Sequence, residues 1–270
     1  MDYARELTAA LEAADRAGRG LLDQYSRFQV IPDAPASIST EADRQSQETI
    51  LAFLREQFPE DAFCAEEETP ILTAAAHTGP RLWIVDPIDG TRGFARKNGE
   101  FSVMVAFVDQ GRMAAGVVLE PVHRRLTYAA RGRGCWRRDG DTEPVPCRVS
   151  TTRRLNEATL TQSHSRNPAV PSAPVRALGP ARVVETYSAG IKLALVARGE
   201  ADLYLNTYDA FHDWDICAGH LLVEEAGGSV TGLAGQTLHY GLPGAWQRHG
   251  LLASNGVLHD AALAALRGVR

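Results

Sequence analysis

Trp83-Ile84-Val85-Asp86-Pro87-Ile88-Asp89-Gly90-Thr91 decides how the rest of this chain is read. Leu82 to Val85 is short, branched and apolar, as suits a strand buried on both faces. Pro87 fixes its own φ and pushes Asp86 toward an extended conformation; Gly90 allows a reversal where a side chain would clash. The stretch therefore predicts a stiff turn that holds Asp86 and Asp89 close together, beside the Ile88 carbonyl and the Thr91 hydroxyl. Two carboxylates so placed repel each other, and a divalent cation relieves the repulsion. An all-oxygen donor set favours a hard ion such as Mg²⁺ over zinc or copper. A solvated Asp-Pro/Asp-Gly surface turn has the same spelling, so these nine residues alone leave both readings open.

The composition narrows the setting. A chain of 270 residues has room for one large or two modest domains with a full core. Its 44% hydrophobic and 23% charged content is that of an ordinary globular protein. A net charge of -5 gives no footprint for nucleic-acid backbones or anionic membranes, so any phosphate-bearing ligand is drawn by local groups. No apolar run approaches the roughly 18 residues that span a bilayer, and the first residues lack the apolar core of a secretory signal. Cys64, Cys135, Cys147 and Cys217 are widely spaced with no Cys-x-x-Cys, which reads as reduced thiols in a cytoplasmic protein. The histidines make no i, i+4 pair around an acid, so zinc has little support. Of the 28 basic residues only Lys97 and Lys192 are lysine, and both fall in motif-like segments.

Outward from the central stretch, residues 3–25 carry Leu7, Ala10, Leu11, Ala14, Leu21 and Leu22 at helical spacing. Thr40 followed by Asp43 reads as a helix N-cap, with Ile50, Phe53, Leu54 and Phe58 on the apolar face. In isolation Asp43 suits a solvated capping carboxylate. Asp61–Cys64 reads as a short strand delivering Glu66, Glu67 and Glu68, a triplet that elsewhere is often just a solvated loop. Ser102–Asp109, Met113–Pro121 and Arg125–Ala130 predict an antiparallel meander running to about Arg138. Residues 139–156 are polar and mark a boundary, dividing an N-terminal α+β part (1–148) from a C-terminal α/β part (149–270). The second part predicts strands at Ala158–Thr161, Arg182–Glu185, Asp202–Leu205, Gly228–Val230 and Gly250–Ala253. Helices are expected near 172–178, 189–198, 215–226 and 257–267.

Asp-Pro-Ile-Asp-Gly-Thr after Trp-Ile-Val resembles the central signature of the inositol monophosphatase superfamily of Mg²⁺-dependent phosphatases. Three further pieces match in chain order: Thr40-Glu41-Ala42-Asp43, Ala65-Glu66-Glu67, and Trp214-Asp215-Ile216-Cys217-Ala218-Gly219 leading into Glu225-Ala226-Gly227-Gly228. The resemblance implies a layered α-β-α-β-α sandwich of the sugar/inositol phosphatase type, with the metal site between two subdomains. It assigns two or three Mg²⁺ ions to Glu66, Asp86, the Ile88 carbonyl, Asp89 and Asp215, with Glu67 in the outer shell or as a second ligand. It gives the attacking water to Glu66 and Thr91, with Asp43 holding the Thr91 hydroxyl and no phosphoenzyme. Gly90 and Thr91 then present N–H groups to the phosphate, and Asp215 opens a helix that closes the site from the second part. Li⁺ sensitivity, and a monomer or a homodimer, belong to the same expectation.

Arg92-Gly93-Phe94 and Arg96-Lys97-Asn98-Gly99-Glu100-Phe101-Ser102-Val103 resemble, within that superfamily, the 3'(2'),5'-bisphosphate nucleotidases of the CysQ type. Ser163-His164-Ser165, Ser188 to Lys192 and Ala218-Gly219-His220 agree with the same branch. A second phosphate on the substrate would account for Ser163, His164, Ser188 and Lys192 as binding groups. The chain departs from the pattern at Tyr187, where a glycine is expected, at Ala189-Gly190, and at Asp33-Ala34-Pro35, where a lysine is expected. Asn206 stands where inositol monophosphatases carry a glutamate, and two extra residues precede Trp214. The expected activity is release of the 3'-phosphate from adenosine 3',5'-bisphosphate or its sulfated relative. The alternatives are an inositol, sugar or histidinol phosphatase, or an inactive phosphate-binding regulator.

Overall fold

The computed structural model describes residues 3–165, 167, 169–209 and 211–269. Two helices lead: α1 (Ala4–Arg27) and α2 (Glu41–Gln57). The start of α2 is fixed by its own side chains. Thr40 Oγ1 accepts from the Ala42 N–H at 3.2 Å, and Asp43 accepts from the Thr40 N–H at 2.8 Å.

One sheet of seven strands follows in chain order: β1 (Ala62–Ala65), β2 (Arg81–Asp89), β3 (Ser102–Asp109), β4 (Arg112–Glu120), β5 (Arg125–Ala130), β6 (Cys135–Asp139) and β7 (Val145–Cys147). β2 to β7 run antiparallel, as the meander predicts, but β1 lies parallel to β2. A parallel pair needs a crossover, and the segment through the single turn α3 (Pro70–Thr73) supplies it. β7 falls inside the polar stretch 139–156, so that stretch closes the first sheet before it becomes a linker.

The central stretch differs from the stiff turn expected after Val85. The strand continues through Asp86 to Asp89, with a register shift against β3 between those two residues. Pro87 has no N–H for the ladder, which is why the irregularity falls there. The chain reverses only at Gly90, whose φ of +88° suits glycine, and the short helix α4 (Thr91–Ala95) begins.

The second sheet has the order β12 (Ser229–Thr231), β14 (Leu251–Ser254), β10 (Leu203–Asn206), β8 (Thr159–Gln162), β9 (Arg182–Glu185). β8 is parallel to β9 and β10, whereas β14 runs antiparallel to β10 and β12. A two-stranded ribbon pairs β11 (Phe211–His212) with β13 (Trp246–Gln247). The helices are α5 (Ala173–Leu178), α6 (Ala189–Ala197), α7 (Cys217–Glu225) and α8 (His259–Leu266).

Side-chain alternation along the strands builds the layers. Trp83, Val85, Val103, Val105 and Phe107 point to one face of the first sheet and bury against α1 and α2. Leu82, Ile84, Met104 and Ala106 point the other way, onto Leu193 and Ala194 of α6 and Leu221 and Leu222 of α7. The same α6–α7 layer covers Tyr204, Leu251 and Ala253 of the second sheet. That sheet's far face, Leu160, Leu203, Leu205 and Leu252, packs on α5 and α8. The order is α-β-α-β-α. Gly116 lets α7 come close: a Cβ there would sit 2.8 Å from the Ala218 carbonyl. All four cysteines are free thiols, and no helix among the described residues is long and apolar enough to cross a membrane.

Candidate active site

At the end of β1, along β2 and at the head of α7 the fold leaves a cleft of about 420 Å³. Glu66, Asp86, Ile88, Asp89, Gly90, Thr91 and Asp215 line it, facing the Ala36–Ser39 loop, Arg92 and Tyr187. A larger cavity of about 560 Å³ lies over the second sheet, but it holds one carboxylate, Asp209, beside Arg248, His249 and Arg267. The donor set, not the volume, singles out the cleft.

Each acid is placed by a specific local cause. Asp86 Oδ1 accepts from the Ile88 N–H at 3.1 Å across Pro87, and Ser46 of α2 donates to the Pro87 carbonyl at 2.9 Å. Asp89 is held from the second half of the chain, by the Ala189 N–H at 3.1 Å and the Gly190 N–H at 2.7 Å. Ser188 and Ser102 donate to it as well. Asp215 lies two residues ahead of α7 and does not open that helix; its Oδ2 accepts from the His212 N–H at 2.5 Å. His212 is in turn stacked on Trp214 at 4.2 Å and against Trp246 at 4.1 Å, which orders the approach to Asp215.

Asp43 is fully buried and joins two functions. Its Oδ2 completes the α2 cap, and its Oδ1 accepts from Thr91 Oγ1 at 2.9 Å. The Thr91 hydroxyl also lies 3.0 Å from the Ile88 carbonyl. One oxygen each of Asp43, Glu66 and Glu67 fall within 4.8 Å of one another. Glu67 is pinned by Gln47, which donates to its carbonyl and accepts its N–H, and by Ser39, which donates to its carboxylate at 2.6 Å. Glu68 lines a different cavity with Trp214 and Leu242, so Glu66 and Glu67 are the two acids of the triplet at the site.

Crowding like charges in a partly dry cleft pushes their pKa values upward. Asp86 is held well above the carboxylate range by burial first, then by Glu66, Asp89, Asp215 and Asp43. Glu66 is pushed up to about 8, by desolvation and then by Asp215, Asp43, Glu67 and Asp89, although its side chain is open to the cleft water. Burial takes Asp215 up to about 7 and also raises Asp43. Several oxygen donors around one cleft, repelling one another without a cation, fit a hard divalent ion such as Mg²⁺.

Lys192 supplies part of the missing positive charge, from beneath. It is 1% exposed, and its Nζ donates to the Thr186 and Tyr187 carbonyls at 2.9 and 3.0 Å and to Ser163 Oγ at 3.2 Å. Burial lowers its pKa to about 8, while Asp89, Glu100 and Asp215 pull the other way. Ser188 is buried too, capping α6 by accepting the Ile191 N–H at 2.9 Å. These two residues brace the cluster from inside rather than line the cleft. His164 does not line the cleft; with Ser163 and Asn206 it lines a separate pocket, and it reaches the cleft only through Tyr187, its Nε2 2.6 Å from Glu100 and its ring 4.3 Å from that of Tyr187. Asn206 faces its own loop, where its Oδ1 accepts from the Tyr208 N–H at 2.9 Å. The sequence reading passed over Arg92, Glu100 and Gln47 as site residues. Arg92 and Glu100 stood in the segments quoted for resemblance; Gln47 carried no signal beyond its place on α2.

A family model, the inositol monophosphatase family, matches residues 2–270. The chain is 33% identical to the 3'(2'),5'-bisphosphate nucleotidase CysQ of Salmonella typhimurium, covering 80% of this chain and 83% of that protein. It is 31% identical to the histidinol-phosphatase of Mycobacterium tuberculosis over 97% of both. Among solved structures, the inositol monophosphatase of Anabaena superposes with a TM-score of 0.80 at 29% identity, covering 100% of this chain and 98% of that one. The chain belongs to the inositol monophosphatase family, whose members are metal-dependent phosphatases of phosphate esters.

Proposed function

We propose that this chain is a Mg²⁺-dependent phosphomonoesterase that releases the 3'-phosphate of adenosine 3',5'-bisphosphate or its sulfated relative. The observation that carries the nucleotide reading is the wall built by Glu100. Its carboxylate accepts from the Tyr187 N–H at 3.2 Å and pairs with His164, so the Arg96–Phe101 segment joins the second half of the chain behind Tyr187, which lines the cleft. Similarity to the Salmonella nucleotidase supports the same substrate. Histidinol phosphate is the second reading, favoured by the match over 97% of the chain. Inositol phosphate has less support, because Asn206 stands where inositol monophosphatases carry a glutamate, and its Oδ1 is taken by the Tyr208 N–H.

Glu66, Asp86, Asp89, Asp215 and the Ile88 carbonyl would hold two or three ions. When bound, Mg²⁺ neutralises phosphate oxygens, lowers the pKa of a water and stabilises the leaving alkoxide. The protein's own part is placement. The one proton of the Thr91 hydroxyl is directed to Asp43 or to the Ile88 carbonyl, which leaves an oxygen lone pair to accept from a water in the cleft. Glu66 faces the same space and takes the other proton of that water, orienting it for in-line attack. Gly90 and Thr91 bring their N–H groups to the cleft for the phosphate. The cleft sits between the 1–148 and 149–270 parts, and Asp215 reaches it from the second. The four free thiols suit a cytoplasmic location.

Ser188→Ala is expected to lower Mg²⁺ affinity by about 10- to 100-fold, because it removes a donor to Asp89 and the cap of α6 together. Calorimetric Mg²⁺ titration reads this; unchanged affinity would mean that Ala189, Gly190 and Ser102 suffice to orient Asp89. For the substrate, phosphate release is compared with Mg²⁺ at equal concentrations of adenosine 3',5'-bisphosphate, histidinol phosphate and inositol 1-phosphate. The nucleotide is expected to give the highest kcat/KM. A higher value for either other ester overturns the nucleotide reading and leaves the phosphatase site in place.

A further inference from the structure

We infer that Arg92, braced by Tyr187, is the specificity-determining anion grip of the cleft and takes a second phosphate of the substrate. The inference rests on the phosphatase reading above and deepens it. Arg92 is half-buried in the cleft wall, directly after Thr91. Its Nε donates to the Ala34 carbonyl at 3.1 Å, and its guanidinium carbon lies 5.0 Å from the centre of the Tyr187 ring. Those contacts fix the plane of the group and use one of its five N–H donors. Among the described residues no carboxylate pairs with it and nothing accepts from its two Nη atoms. Other arginines held in this fold behave differently: Arg81 binds Asp61 and Glu6, and Arg198 binds Glu120 and Glu200. In a chain of net charge -5, an orientated guanidinium left without an acid faces a site already dense in carboxylates.

The brace is itself held on several sides. Arg96 donates to the Tyr187 hydroxyl at 2.8 Å, His164 packs on the Tyr187 ring at 4.3 Å, and the Tyr187 N–H donates to Glu100 at 3.2 Å. Tyr187 therefore cannot swing away without breaking contacts to both halves of the chain. A planar guanidinium with a free Nη edge, pre-set by a ring and a carbonyl, matches two oxygens of one phosphate. The carboxylates and Thr91 line the same cleft as Arg92, so a small molecule with two phosphates on one sugar has both points within a single cleft.

The test uses pairs of esters that differ by one phosphate: adenosine 3',5'-bisphosphate against adenosine 3'-phosphate, and fructose 1,6-bisphosphate against fructose 1-phosphate. In the wild type, kcat/KM favours the bisphosphate of at least one pair. Arg92→Met is expected to shrink that preference by about 10- to 100-fold, mainly through KM, and Arg92→Lys to restore part of it. Tyr187→Leu, which leaves the guanidinium in place and removes its brace, is expected to shrink the preference by a smaller factor. A second readout needs no turnover: adenosine 5'-phosphate, titrated by calorimetry, loses affinity in Arg92→Met while adenosine does not. Equal bisphosphate-to-monophosphate ratios in the wild type and Arg92→Met overturn the inference, whichever sugar is preferred. Better turnover of the fructose pair than of the adenosine pair, with the ratio still dependent on Arg92, overturns the nucleotide reading and supports the inference.

Discussion

Asp86→Asn is expected to lower kcat by at least about 100-fold and to make the metal-free protein more stable than the wild type. Both effects follow from one position. Asp86 is 2% exposed and sits among Glu66, Asp89, Asp215 and Asp43, with burial the leading reason that its carboxyl resists ionisation. An asparagine of the same shape keeps the oxygen that accepts from the Ile88 N–H and removes a carboxyl that ionises freely in the unfolded chain but not in the fold. The metal-free variant therefore melts at a higher temperature than the metal-free wild type. It also loses the rise in Tm that Mg²⁺ gives the wild type, since that rise depends on affinity for the folded state. Phosphate release and thermal melting, each with Mg²⁺ and with EDTA, read the two halves. Near-normal turnover in Asp86→Asn would sink the metal-site account.

The EDTA-treated wild type is expected to lose stability as pH rises from about 6.5 to 8. Glu66 and Asp215 carry folded pKa values of about 8 and about 7, against 4.5 and 3.8 for the free groups, and Asp86 and Asp43 are raised as well. The folded state then binds more protons than the unfolded chain across this window, so the pH derivative of the unfolding free energy is negative. The contribution is fully present below the unfolded values and is lost as pH climbs through the folded ones. His212 and His259 have pKa values lowered from 6.5 by burial, which gives a slope of opposite sign confined to lower pH. Lys192, lowered to about 8, opposes the trend only above the window. A fall in Tm of several degrees is expected, at on the order of 2–4 °C per kcal/mol for a chain of this size. Saturating Mg²⁺ removes the slope, because the ions hold the acids deprotonated. A Tm that stays level or rises from pH 6.5 to 8 in EDTA would show that burial and mutual repulsion do not hold these acids above their free values in the folded state.

In the central stretch the reversal at Gly90 was legible because its cause is local, whereas the strand's continuation through Pro87 to Asp89 was not, since pairing with β3 carries the ladder past the proline. The layer order was legible through the family resemblance; strand alternation and helix spacing report which faces are apolar and by themselves give only mixed α/β. The parallel pairing of β1 with β2 was not, since a four-residue apolar strand carries no mark of its partner's direction. Asp43 reads as a cap from sequence and is one; its contact with Thr91, 48 positions away, is expected from the family resemblance and not from the residues themselves, and the fold makes it with the second oxygen. Ser188 illustrates the same limit. A serine before a helix announces an N-cap, but that its hydroxyl also serves Asp89 depends on how the two halves pack. Tyr187 stood out as a departure from a glycine position, and its meaning came from Arg92, Arg96 and His164 gathering around one ring.

Diffraction from a crystal soaked in Mn²⁺, recorded for anomalous scattering, tests the central claim most directly. The account predicts ordered peaks in the cleft ringed by Glu66, Asp86, Asp89 and the Ile88 carbonyl, and their loss in Asp86→Asn. A cleft that stays without a peak in saturating Mn²⁺, in a protein that still releases phosphate, would contradict it.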